Sequence, residues 1–106
     1  MPFFKKKLTE DPVDTTLSSE KIHFDQLIHD EPKFINDLAD QLIDNIPLVL
    51  SFEKLNVDDA NKLIAFFSGV VYTLGGKYLR INDATFLFGS ETAFNDGSLE
   101  EFVNNL

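Results

Sequence analysis

Cysteine and tryptophan are absent from this sequence, methionine occurs once, and only nine of its 106 residues are basic. Without cysteine there is no disulfide framework, no thiolate nucleophile and no thiolate metal cluster, which suits a reducing compartment. Nine Lys and Arg stand against eighteen Asp and Glu, a net charge of -9. A chain with so little cationic surface cannot neutralise a run of phosphates, so nucleic acid is not an expected partner. No secretory leader is apparent, and the longest nearly apolar stretch, Leu63 to Leu74, is too short to span a bilayer. The two histidines, His23 and His29, have no third ligand at recognisable spacing, so they read as surface or strand-end side chains and no metal or cofactor is expected.

Phenylalanine, by contrast, is plentiful: eleven of them, within a hydrophobic content of 43%, supply the filling for one small domain. The stretch from Asn56 to Phe88 organises it. Asn56 is a suitable N-cap, Asp58 and Asp59 place negative charge in the first turn, and Gly75 can take the left-handed conformation that ends a helix. Between these signals Ala60, Leu63, Ile64, Phe67, Val70, Val71 and Leu74 recur at helical spacing, a stripe wide enough to pack on a sheet. Ala65, Phe66, Gly69, Tyr72 and Thr73 form a second strip, in which the small residues at 65 and 69 permit another helix to approach closely. So short a chain has little else with which to cover that strip, which points to a dimer.

Ahead of this stretch, KIHFDQLI alternates as a short strand, with Ile22 and Phe24 opposed to His23 and Asp25. Asp30 to Asn45 carries an amphipathic pattern, with Asp30 as the candidate cap and Pro32 tolerated in the first turn. PLVLSF reads as a central strand covered on both faces. Strand, helix and strand form a parallel crossover unit. After Gly76, KYLRI and ATFLF read as a hairpin turning at Asn82-Asp83. That turn puts Leu79, Ile81, Ala84, Phe86 and Phe88 on the inner face, and Tyr78, Arg80, Thr85 and Leu87 on the other. Ser98 with Glu101 has the spacing of a capping box, opening a last short helix with Leu99, Phe102, Val103 and Leu106 on one stripe. The fold class is an α/β sandwich: two main helices on a mixed sheet of four or five strands, plus a short C-terminal helix.

No catalytic constellation stands out. The acids are explained by capping and by solvated helix faces. Ser68 lies within a helix rather than at a strand-to-helix elbow, and Gly75-Gly76 lacks the Lys-Ser and helix start of a phosphate loop. The chain is therefore read as a non-enzyme.

The residues of the central stretch, DDANKLIAFFSGVVYTLGG-KYLRI-NDATFLF, resemble the SepF (YlmF) family of bacterial cell-division proteins. Phe66, Ser68, Gly69, Tyr72, Gly76, Arg80, Ile81, Phe86 and Leu87 fall at the places of that pattern, and the likeness extends over roughly Lys21 to Ser90. Departures are Ala65, where the family usually has an acid, and Gly89-Ser90, where it has Thr-Pro or a similar pair. The resemblance implies a dimeric cytoplasmic adaptor in septum assembly. It would bind the C-terminal tail of the tubulin-like protein FtsZ and help tether FtsZ filaments to the inner face of the membrane at the division site. Tail binding in the family involves a basic residue and an aromatic on the final hairpin, which implies Arg80 and Phe86, with Lys77 and Tyr78 as neighbours. With the Asn82-Asp83 turn these two lie on opposite faces, so either a bulge shifts the register or they serve different subsites.

Residues 1–20 read as a flexible segment and acidic linker, and residues 21–106 as one SepF-like domain. By composition MPFFKKK is either a solubilising charged end or an interfacial tip, with Phe3 and Phe4 in lipid and Lys5, Lys6 and Lys7 on anionic headgroups. The resemblance implies the second. The alternative function is a SepF-like paralogue or a dimeric ligand-binding regulatory domain with a different partner.

Overall fold

The computed structural model describes residues 16–106; the tip Phe3, Phe4, Lys5, Lys6 and Lys7 and the first part of the acidic segment lie outside the described residues. A short run that is apolar on both sides of its pleat has to be covered from above and below. PLVLSF supplies this strand: β2 (Leu48–Ser51) buries Leu48 and Leu50 in one layer and Val49 in the other. β1 (His23–Gln26) lies parallel to β2, and α1 (Pro32–Ile43) is the connection between them. α2 (Val57–Thr73) leads into the antiparallel hairpin of β3 (Lys77–Asn82) and β4 (Thr85–Gly89). β4 inserts beside β2, so the four-stranded sheet has the order β1-β2-β4-β3. This is the α/β sandwich that the sequence predicts, with four strands in the sheet.

α1 and α2 cover one face, where Leu38, Leu42, Leu63, Phe67 and Val71 meet Leu48, Leu50, Phe86 and Phe88. Each fully buried Leu or Phe contributes roughly 1.5–3 kcal/mol, so this layer holds most of the stabilisation. Local chemistry sets the helix ends. Asn56 Oδ1 accepts the Asp59 N–H at 2.8 Å, capping α2 as expected. At its other end Gly75 adopts φ 70°, and the N–H groups of Gly75 and Gly76 return to the carbonyls of Tyr72 and Val71 at 3.0 and 2.8 Å. α1 ends in the same motif with Asn45 in the left-handed position. Its start differs from expectation: Asp30 does not cap it. The N-cap is Glu31 without a side-chain bond, since Pro32 already removes one N–H that would need a partner.

The opposite face is covered by the C-terminal segment, α3 (Glu91–Phe94) and α4 (Ser98–Asn104), which pack Ala93, Leu99, Phe94, Phe102 and Val103 over Val49, Leu87, Leu79, Ile81 and Ile22. At seven residues α4 is too short to persist alone, and its fully buried Leu99 anchors it. Ser98 does not form the expected capping box. It stands one residue inside the helix, after Gly97 at φ 76°, and its hydroxyl donates to Asp96 Oδ1 at 2.8 Å while accepting the Ser19 N–H at 3.0 Å. A 3₁₀ turn, Ser18–Glu20, is held to α4 by this bond and by the Ser18 N–H to Asp96 Oδ2 at 2.9 Å. These donors, Ser18 N–H first and then those of Ser98, hold the Asp96 carboxyl down to about 2.

The hairpin departs from its predicted register. Asn82 pairs with Thr85, so the turn is Asp83-Ala84, and β3 carries a bulge between Arg80 and Asn82. Asn82 Oδ1 accepts the Ala84 N–H at 2.9 Å, which favours the shifted turn. A one-residue slip exchanges every side chain between faces. Tyr78 therefore stands opposite Phe88 and Arg80 opposite Phe86 on the α2 side, while Leu79 meets Leu87 on the C-terminal side. Leu87, expected on an open face, is fully buried.

One backbone approach closes the hairpin onto α3: a Cβ on Gly76 would run into the Gly89 carbonyl oxygen and Ser90, whereas one on Gly69 would meet nothing within 4 Å. Gly76→Ala is expected to cost at least about 2 kcal/mol. Gly69→Ala is expected to gain up to about 1 kcal/mol through helix propensity. Urea unfolding of the two variants checks the contrast.

Candidate functional site

β3 is an edge strand, so the side chains it turns toward α2 are covered from one side only. Tyr78 has its ring 5.7 Å from that of Phe86 and 5.9 Å from that of Phe88, and Phe88 is backed by Phe67 at 5.6 Å. The result is an aromatic ledge, buried at Phe86 and Phe88 and open at Tyr78. Beside it the Arg80 guanidinium carbon lies 5.9 Å from the Phe86 ring centre, a cation on an aromatic face. The Arg80 side chain is 60% exposed. The structure thus brings Arg80, Phe86 and Tyr78 together on one face.

Lys77 does not join them. Its neighbour position sends it to the reverse face of the sheet, where the ammonium lies 2.8 Å from Glu100 Oε2 and 4.9 Å from the Phe94 ring centre. It fastens α4 to β3.

Two hollows open beside α2. One, of about 330 Å³, is lined by Ser68, Val71, Tyr72, Gly76, Lys77 and Tyr78. The other, of about 300 Å³ near the hairpin turn, is lined by Phe52, Glu53, Leu55, Ile64, Asp83 and Ala84 among others. Ser68 is not a free hydroxyl, because it donates to the Ile64 carbonyl at 2.7 Å.

The second strip of α2 is left uncovered by the described residues. Ala65, Gly69 and Thr73 are exposed, Phe66 is 40% exposed and Tyr72 is 82% exposed. At 100° per residue Phe66 and Tyr72 stand roughly 120° apart around the helix, with Ala65 and Gly69 between them. The strip is therefore a broad back rather than a narrow seam. Tyr72 leans to the β3 side, and the Phe66 ring packs edge-on at 5.2 Å from Phe67. The C-terminal helix lies across the sheet from this strip and leaves it open.

Among the described residues no group of three His, Cys, Asp or Glu could hold a metal ion, and no helix is long and apolar enough to cross a membrane. His23 pairs with Asp25 at 3.4 Å, and the His29 ring lies 5.1 Å from that of Phe34. Sequence reasoning missed Asp83, whose Oδ1 lies 3.3 Å from Arg80 Nη2. The spacing of three between an acid and an arginine was visible but was absorbed into the reading of Asn82-Asp83 as a turn.

What this arrangement offers chemically is recognition: a small α/β domain with an aromatic ledge and a guanidinium at its open edge, and an apolar helix back. Residues 33–92 match the family described as cell division protein SepF, and the chain belongs to that family. A cell division protein SepF of Lactobacillus acidophilus is 32% identical over 68 residues, which is 64% of this chain and 47% of the relative. One from Listeria monocytogenes is also 32% identical over 68 residues, covering 45% of that protein. One from Lacticaseibacillus casei is 25% identical over 107 residues, covering 91% of this chain and 71% of the relative. The chain thus spans about half the length of the first two relatives.

The separation of Lys77 from the ledge has a measurable consequence. Lys77→Ala is expected to speed amide exchange in α4 and to lower stability by no more than about 1 kcal/mol, leaving the Tyr78–Phe86 face intact. Hydrogen-exchange mass spectrometry resolves the two regions.

Proposed function

We propose that this chain is a non-enzymatic, dimeric adaptor of bacterial cell division that binds the C-terminal tail of FtsZ and helps tether FtsZ filaments to the membrane. Family membership supports the division role. The observation that carries the tail-binding reading is the meeting of Arg80 and Phe86 on one face beside Tyr78 at an open sheet edge. A short apolar peptide bearing an acid would rest its side chains on the ledge and in the hollow beside Tyr72, and set its carboxylate on Arg80.

Such a contact is weak per site, because a charge-assisted bond at an exposed position adds little beyond the water it replaces. Two sites in one dimer would raise retention on a filament through effective concentration. The uncovered back of α2, with Ala65, Phe66, Gly69, Tyr72 and Thr73, is the surface assigned to self-association, Gly69 allowing the helices to approach. The tip at Phe3, Phe4, Lys5, Lys6 and Lys7 is assigned to anionic lipid, where each lysine near the surface adds roughly 1 kcal/mol.

Arg80→Glu is expected to weaken capture of an FtsZ tail peptide by at least about tenfold while the fold is retained; an unchanged isotherm by calorimetry would discard the site. Gly69→Trp is expected to convert a dimer into monomers. Light scattering that shows the same mass for wild type and variant would remove α2 from the interface.

A further inference from the structure

The guanidinium that would receive an acidic ligand already has a carboxylate against it. Arg80 Nη2 lies 3.3 Å from Asp83 Oδ1, Arg80 Nε donates to the Asn82 carbonyl at 3.3 Å, and the planar group is thereby held beside the Phe86 ring at 5.9 Å. The pairing accompanies the bulge between Arg80 and Asn82, which sets the turn at Asp83-Ala84. Asp83 is fully exposed, and among the described residues Arg80 is its ion-pair partner.

We propose that Asp83 is a built-in competitor for Arg80, a specificity-determining residue that an acidic peptide has to displace before it can bind; the proposal rests on the reading of Arg80 as the tail-binding residue. Binding is then an exchange of one carboxylate for another, and only the difference between them appears as affinity. A peptide without an acid gains nothing from displacing Asp83 and meets the aromatic ledge with the guanidinium still paired to the turn. The displaced Asp83, which lines a hollow together with Glu53, then repels an acid placed out of line with Arg80. The competitor keeps single-site affinity low, so retention depends on two sites acting together.

Arg80 is the only arginine in the sequence, so its Nε–Hε signal in a nitrogen-15 spectrum of the full chain is unambiguous. Asp83→Asn is expected to shift that signal, because it removes the carboxylate from Nη2 of the same guanidinium while the Nε bond to the Asn82 carbonyl stays; an unmoved signal overturns the pairing whether or not any peptide binds. In titrations with a synthetic FtsZ tail peptide, Asp83→Asn is expected to raise affinity by about two- to fivefold. It is expected to do nothing in an Arg80→Gln background, and nothing for a peptide whose acids are replaced by amides. An equal gain in the Arg80→Gln background would reduce Asp83 to bulk repulsion and overturn the proposal. No gain at all would overturn it too. If the Nε–Hε signal moves but the wild-type chain fails to bind the peptide, the functional reading of Arg80 falls while the pairing with Asp83 stands.

Discussion

The pairing of Arg80 with Phe86 across β3 and β4 is the constraint from which the rest of the molecule follows. A strand alternates its faces, so this single register assigns Tyr78 and Arg80 to the layer under α2 and gives Leu79 and Ile81 to the layer under α3 and α4. With the turn one residue earlier, Leu79 would oppose Phe86, and Tyr78 and Arg80 would face the C-terminal helices. Leu99, Phe102 and Val103 would then have polar side chains to cover, and the aromatic ledge would lose both its open member and its guanidinium. The bulge is therefore the point at which core packing and surface chemistry are decided together.

That decision explains what could be read ahead of the structure. The ends of α2 were legible because they depend on neighbours in sequence: Asn56 bonds to Asp59, and Gly75 needs only its own freedom to turn left-handed. β2 was legible because LVL leaves no polar face to expose. The hairpin register was not. Asn82-Asp83 and Asp83-Ala84 are both acceptable local turns, and the choice belongs to Asn82 bonding to Ala84 and to apolar cover arriving from α4, more than ten positions further along the chain. The exclusion of Lys77 from the ledge was available from alternation alone once the register was known. Ser98 misled for a related reason. Its spacing to Glu101 fits a cap, but a buried hydroxyl between Asp96 and Ser19 has better partners than a helix end, and Gly97 took the cap position.

The proposed capture of an acidic peptide by a body of net charge -9 looks self-defeating. The Debye length of about 8 Å at physiological salt resolves this, because exposed charges further away than that are largely screened and the ligand responds to its immediate neighbours. Around the ledge these are Arg80 and Asp83, with Glu53 beyond them, and Lys77 is already engaged with Glu100. One cation thus stands against two carboxylates, so where a ligand's acid would sit relative to Arg80 matters more than its total charge.

The layering also separates surfaces that an adaptor would have to use at once. The chain enters the described fold through Ser18 and Ser19, which are tied to Asp96 and Ser98 on the side of the sheet that carries α4. The back of α2 belongs to the opposite side, and the ledge of Tyr78, Arg80 and Phe86 lies at the β3 edge between that helix and the strand. Contact at the back of α2 would leave the entry of the chain untouched, while Tyr72 stands where the helix back runs into the hollow shared with Tyr78. The proposed self-association through that back and the proposed peptide capture on the ledge would therefore meet at Tyr72, a ring 82% exposed among the described residues, where the two processes would be energetically coupled.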